Sequence, residues 1–436
     1  MFTKQLKGKI KELDYINIAL MGSVASLLWG LKTNTICIIF LFALVLVRKI
    51  KEGRKANPGF RELAIGASLY FVSVLWMLNT DDFSSGISYL ERTLSGLVFP
   101  LVFFMLGSSF NYDKKLIFIG FIASCFLRYL FFLYQVVELE LVFILDYWKE
   151  VIIQFNQLSK ELDLHPTYFS ILLGFASILC LVELNRFKRK QLIILVSFGM
   201  VIMNMTLAAK TPFFAFLLIY MYIAVKKLAQ MRRGAKKTLL MVFSVLSLFL
   251  FSWGFYKSPN LVTQDFFNYY QLVRGEKVSD LHNYGIVGNN TNLSAWVKTN
   301  RLYIWQATIE SIRENLVFGT GTGDIHHVLN RKYEYLGYVH LANKNTNTHN
   351  QLLDFFLRFG LIGFLIITFF TLLAFKSGWG NRDFLYIYFL ALVIFSCLTE
   401  NILNRQMGIV FFHFFNNLFL ILNSQAGVNR ESLIAS

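Results

Sequence analysis

His349 stands in "NTNTHNQLLDFFLRFGLIGFL", residues 345–365, where a polar stretch gives way to a long apolar run. A neutral imidazole there can take a proton from a hydroxyl, because an unperturbed pKa of about 6.5 keeps it a base near neutral pH. Thr348, His349 and Asn350 also suit the cap of a helix, a purely structural use. Cations recur on both sides of this histidine. Arg301 and Trp305 fall one turn apart in "NRLYIWQATIESIRENLVFGTGTGD", with Asn300 as the expected N-cap. Lys210 sits in "LAAKTPFF", Arg92 in "YLERTL", His165 in "HPTYF", and Arg405 shortly after Glu400. Each has a plain use too: a snorkelling Lys210, an Arg92 paired with Glu91 or Asp82, a proline-initiated helix start after His165, and a Glu400–Arg405 pair. Several cations around one histidine suit a lipid-linked anion. Lysine and arginine neutralise phosphate while a base activates an attacking hydroxyl.

The elements that position these residues are apolar helices. The 436-residue chain is 56% hydrophobic, 17% aromatic and only 16% charged, with 46 Phe and 5 Pro. About twelve apolar runs are long enough to count as transmembrane spans. Their cores are 15–31, 33–48, 62–79, 89–107, 116–137, 167–184, 191–208, 211–225, 238–256, 353–375, 384–399 and 407–423. The runs are continuous rather than alternating, which argues against a β-barrel. The expected class is all-α and polytopic, with a membrane bundle over 1–256, a polar loop over 257–350, and spans plus a tail over 351–436. The first span carries no cleavage site of the signal-peptide kind.

The net charge of +16 raises the question of a nucleic-acid partner, but its placement argues against one. Sorting charges by the spans puts the whole excess on one side, in short loops such as "RKIKEGRKANPGFR" and "KKLAQMRRGAKK". This positive-inside pattern places both termini in the cytoplasm and the 257–350 loop outside, with a shorter outward segment near 138–166. The four cysteines lie inside apolar runs and read as packing residues, without disulfide or zinc spacing. Trp305, Ile309, Ile312 and Leu316 recur at helical spacing and predict an amphipathic helix ending near Gly319. "GTGTG" supplies turns and is no dinucleotide fingerprint. Gly360 and Gly363 are expected to let neighbouring helices approach. Arg128 and Arg358 lie deeper in spans, so each is expected to have a bundle partner.

"THNQLLDFFLRFGLIGFL" resembles the hallmark of the O-antigen ligase and O-antigen polymerase (Wzy-C) family: a histidine, a polar residue, then a helix carrying Gly-x-x-Gly. "RLYIWQATIESIRENLVFGTGTGD" resembles the preceding family segment, an arginine and tryptophan ending in Gly-x-Gly. "LAAKTPFF" and "HPTYFSILLG" fit as well, and the likeness is sharpest over 298–365. The resemblance implies a GT-C-like polytopic glycosyltransferase of the bacterial inner membrane. It would move a glycan from undecaprenyl pyrophosphate to an acceptor hydroxyl on the periplasmic face, with inversion and without metal, nucleotide sugar or other cofactor. Carried over, His349 is the catalytic base, Arg301 contacts pyrophosphate, and Lys210 stands where the family has a second pyrophosphate arginine. Lysine keeps that charge but loses the bidentate fork. Arg92 is a further donor-binding candidate. His165, Trp305, Asn350 and Arg405 are candidates for substrate contact.

The preferred acceptor is lipid A-core, as for a ligase, since the His-Asn/Gly-x-x-Gly and Arg-Trp segments match that template. A polymerase joining lipid-linked repeat units shares the donor and the site logic. A polysaccharide flippase is the remoter reading. It would favour mid-membrane charges and internal repeats, and no repeat is visible.

Overall fold

The computed structural model describes residues 14–52, 59–138, 165–186, 189–207, 209–230, 234–235, 237–246 and 301–435. Among them every regular element is a helix. In chain order these are α1 (Tyr15–Ala25), α2 (Leu31–Glu52), α3 (Phe60–Leu75), α4 (Phe83–Thr93), α5 (Ser95–Leu106), α6 (Lys114–Glu138), α7 (Pro166–Val182), α8 (Lys190–Thr206), α9 (Lys210–Gln230), α10 (Lys237–Leu246), α11 (Arg301–Glu314), α12 (Ile325–Tyr335), α13 (Val339–Asn343), α14 (Gln351–Gly380), α15 (Phe384–Cys397) and α16 (Gln406–Ala435). Six helices are long and apolar enough to cross a membrane, or seven if α4 and α5, bent by 41°, form one span. Over their described residues the expected cores fall on helices or such a pair, with residue 208 and residues 247–256 outside the description, and α1, α7, α8, α10 and α15 are shorter apolar helices. Residues 139–164 of the expected outward segment, residues 257–300 of the expected loop and the Asn300 cap lie outside the described residues.

The bundle is held by interleaved aromatic rings. Lipid offers helices little hydrophobic drive to associate, so close packing must supply the attraction. α16 is the central element, with 89% of its apolar window buried. Its Phe414 meets Phe99 of α5 edge-on, and its Phe415 meets Phe121 of α6 and Phe175 of α7 in the same manner. Such T-shaped pairs set a positive ring edge against a negative face. Cys125, Cys180 and Cys397 are buried, Cys37 is half-buried, and all four are free thiols.

The helices that carry polar residues start where side chains cap them. Asn350 Oδ1 accepts from the Leu352 and Leu353 amides, opening α14. His165 Nδ1 accepts from the Thr167 amide, and Pro166 takes the first position of α7. Ser170 of α7 bonds Asn204 of α8, and Ser177 bonds Ser197, so the two helices run antiparallel. The turn into α9, which Lys210 opens, therefore returns to the end where His165 stands.

A second, smaller core forms at that end. Ile304, Ala307 and Ile312 of α11 pack with Ile325, Leu329 and Tyr333 of α12, Leu341 and Ala342 of α13, and Leu357 of α14. The buried stripe of α11 differs from the expected one. Ile309 and Leu316 are exposed, the helix ends at Glu314, and the residues turned inward are Ile304, Ala307, Thr308, Ser311 and Ile312. Small and hydroxyl side chains occupy the contact, and an apolarity count overlooks them.

Candidate active site

Two backbone devices set the site. The first is a break in α14. Gly360 has φ of 61° and ψ of −170°, an extended left-handed conformation inside an otherwise helical run. A break leaves backbone groups without helical partners, and the 316–321 loop takes them up. The Thr320 and Gly321 amides donate to the Leu357 and Arg358 carbonyls at 2.8 and 3.0 Å. Those of Leu361 and Ile362 donate to the Leu316 and Val317 carbonyls at 2.8 and 3.3 Å. A Cβ on Gly360 would strike the Val317 carbonyl and the Gly319 amide, and one on Gly319 would strike the Gly360 amide. What approaches Gly360 is thus a loop, not the neighbouring helix expected from Gly-x-x-Gly. Gly363 does permit a close helix approach, against the Trp76 ring.

The second device stitches the other side of that loop to the 76–82 turn. Trp76 Nε1 donates to the Phe318 carbonyl at 2.6 Å, and the Thr322 amide donates to Thr80 Oγ1 at 2.8 Å. Asp324 accepts from the Asp81 and Asp82 amides at 2.9 and 2.7 Å. α12 is thereby fixed beside α4.

Between these elements lies a cavity of about 310 Å³. Arg92, His165, His349 and Arg405 line it, four residues brought together from α4, the starts of α7 and α14, and the turn before α16. His349 has φ of 45°, a strained region for a non-glycine residue. Neighbours hold it there: its amide donates to Asn347 Oδ1, and Trp305 Nε1 donates to the Thr348 carbonyl at 3.1 Å. Trp305 and Asn350 thus act on the backbone that carries the histidine. Asn350 fills the capping role foreseen for its segment.

Sequence reasoning gave Glu400 only to Arg405. The structure gives it to His349 and Arg301 instead. Oε2 lies 3.2 Å from His349 Nδ1, and Oε1 lies 2.9 Å from an Arg301 guanidinium nitrogen. Burial pushes the Glu400 carboxyl up, but the His349 hydrogen bond and the charges of His349, Arg301 and His165 more than offset this and hold it below its ordinary value. An ionised carboxylate only accepts, so Nδ1 of His349 donates to it, and whenever the ring is neutral the lone pair falls on Nε2. Arg301 holds Glu400 with one nitrogen, and its side chain is 40% exposed. The Lys210 side chain lies outside the described residues.

Asp354, one turn into α14 and 1% exposed, closes the cavity floor. It accepts from Asn401 and Asn404 at 2.9 and 2.8 Å and pairs with Arg358 at 3.2 Å. Arg358 also donates to the Thr322 carbonyl and lies over the Tyr89 ring. The expected bundle partner of Arg358 is present. Arg128 instead lies against the Trp29 and Phe131 rings. Arg92 bonds the Ser88 carbonyl of its own helix rather than Glu91 or Asp82, and Asp82 faces His327. Neither Arg92 nor Arg405 has a carboxylate partner among the described residues. The sequence reading missed His326 and Asn401, which also line the cavity. No spacing rule singles out either one.

No curated protein matches the chain. A family model does match part of it, with bounds that take in Lys210, Arg301, Trp305, His326, His349, Asn350 and Arg358 and leave out Arg92, His165, Glu400 and Arg405. Over residues 192–368 the chain matches the model of the Wzy_C family, described as O-antigen ligase, the same family that the histidine and arginine–tryptophan segments resemble.

Proposed function

We propose that the protein is an O-antigen ligase-type glycosyltransferase of the inner membrane. In this reading it takes a glycan from undecaprenyl pyrophosphate and joins it to a hydroxyl of lipid A-core on the periplasmic face. The observation that carries this reading is the His349–Glu400–Arg301 arrangement at a cavity holding two arginines without carboxylate partners among the described residues. Glu400 fixes the tautomer, and Nε2 of His349 takes the acceptor's proton as its oxygen attacks the anomeric carbon. The bond from that carbon to the diphosphate breaks, and the electron pair leaves with the diphosphate oxygen. Attack opposite the leaving group inverts the centre. Arg92, the outer face of Arg301 and the Lys210 ammonium meet the charge that develops there. Arg405 and His165, on the same cavity, contact the substrates.

Deletion of the gene is the test. The readouts are the surface polysaccharide and the carrier-linked pool. Loss of all O-antigen from the core, with long chains accumulating on the carrier, supports the ligase. A core bearing a single repeat unit makes the protein a polymerase at the same site. An unchanged surface, with repeat units trapped on the cytoplasmic side, would sink both and favour a flippase.

A further inference from the structure

Both carboxylates lining the cavity are committed. Asp354 is held by Arg358, Asn401 and Asn404, and Glu400 by His349 and Arg301. Among the described residues no carboxylate is left for Arg92, which projects from α4 beside Tyr89. Across from it, α12 brings His326 to the same wall. This imidazole is exposed to the cavity and makes no hydrogen bond to any described residue. Its surroundings are lopsided. Arg92 faces it from α4, Arg358 and Asp354 from α14, and His327 from its own helix. Burial, then Arg358, with Arg92 and His327 behind it, outweigh the opposing pull of Asp354 and keep the ring below its ordinary pKa.

A cavity wall of this kind is unfinished without an anion. A diphosphate diester brings two negative charges and several acceptor oxygens, and Arg92 alone cannot satisfy them. Beside such a group a neutral imidazole gains by taking a proton, since the cation then donates from both nitrogens and cancels charge. We propose that the donor's diphosphate seats between Arg92 and His326, and that its arrival is coupled to protonation of His326. This rests on the polyprenyl-diphosphate reading above and adds to it a second histidine with a task opposite to that of His349. His349 must be neutral to accept a proton. His326 is charged while the diphosphate is present and releases its proton when the product leaves.

The test uses the full-length protein in lipid nanodiscs and a short-chain prenyl-diphospho-sugar, which has no group titrating between about pH 5.5 and 8. Calorimetry in two buffers of different ionisation heat reads the protons taken up on binding. The wild type is expected to take up close to one proton. Its association constant should rise up to about tenfold for each unit of falling pH within the window. His326→Gln should bind with a flattened pH profile and lose that proton, and His326→Asn should repeat the result. His349→Gln should keep the uptake. Arg92→Gln should weaken binding about tenfold or more at every pH. If His326→Gln retains the wild-type uptake, or if His349→Gln abolishes it, the proposal is overturned while the donor reading survives. If the wild type fails to bind the diphospho-sugar at any pH, the donor reading itself falls and takes the proposal with it.

Discussion

Nδ1 of His349 lies 3.2 Å from Oε2 of Glu400, across 51 residues of chain. The pair ties the start of α14 to the turn after α15, and it decides which imidazole nitrogen is free. Replacing Glu400 with Gln keeps the shape but lets the side chain donate or accept, so the tautomer is no longer fixed. Turnover should fall about a hundredfold, with KM for the lipid donor changed much less. An E400Q enzyme with wild-type turnover would dismiss the dyad.

The same carboxylate predicts an acid dependence of stability. The folded pKa of Glu400 is depressed, so the unfolded chain binds the proton more readily. The stability it contributes is fully present above the ordinary carboxylate value and is lost as pH falls through the lower, folded value. Thermal unfolding of wild type and E400Q should therefore differ most above the ordinary carboxylate range and converge as acidification carries the pH below it. Curves that diverge on acidification would contradict the depressed pKa.

Gly360 offers a sharper structural test. Gly360→Ala must fit a side chain at φ of 61° against the Val317 carbonyl and the Gly319 amide. Both terms destabilise, and together they should cost about 2–4 kcal/mol. The loop that stitches α12 to α4 would be displaced with them, so activity should fall as well. Gly22→Ala in α1 is the control. Nothing lies within 4 Å of a Cβ there, and the helix should gain about 0.5–1 kcal/mol. A melting temperature unaltered by G360A would mean that the break in α14 is not needed.

These two residues also mark the limit of what the sequence can convey. The apolar runs announce the helices because a bilayer-facing helix must be apolar along its length, and over their described residues the runs fall on helices. Gly-x-x-Gly is different, since close packing and a helix break ask for the same residue. Only the docked 316–321 loop reveals that Gly360 breaks the helix and Gly363 packs against Trp76. His349 was legible because it stands alone at a polar–apolar seam. Glu400 was visible but assigned to its sequence neighbour Arg405, and the approach of the 399–405 turn to α14 is a tertiary fact. His326 left no trace in "IHHVL", because its surroundings come from α4 and α14 rather than from its own segment.

Arg301 and Glu400 form a half-exposed pair, with the arginine side chain 40% exposed. Solvent screens such a pair, so its direct coupling should be modest. A double-mutant cycle of Arg301→Gln and Glu400→Gln should give about 0.5–1 kcal/mol in thermal stability. In kinetics the two should separate. E400Q acts on kcat through His349, whereas R301Q should also raise KM for the lipid donor if its free nitrogens meet the diphosphate. An R301Q enzyme that changes kcat alone, in step with E400Q, would restrict Arg301 to holding the carboxylate in place.

Arg358 and Asp354 are buried to 4% and 2% side-chain exposure, and they form the floor on which the cavity rests. Breaking such a pair strands a charge that water cannot reach, which costs about 3–5 kcal/mol. Arg358→Met leaves Asp354 with only the two asparagine donors and removes the cation over Tyr89, so its unfolding temperature should drop sharply. Asp354→Asn should do comparable damage from the other side, since it also replaces an acceptor shared by Asn401 and Asn404. The double variant carries no stranded charge and should be more stable than the sum of the single losses, by an amount that measures their coupling. Additive losses, read by heat unfolding in detergent, would mean that the two residues act separately and that the floor is held by the asparagines alone.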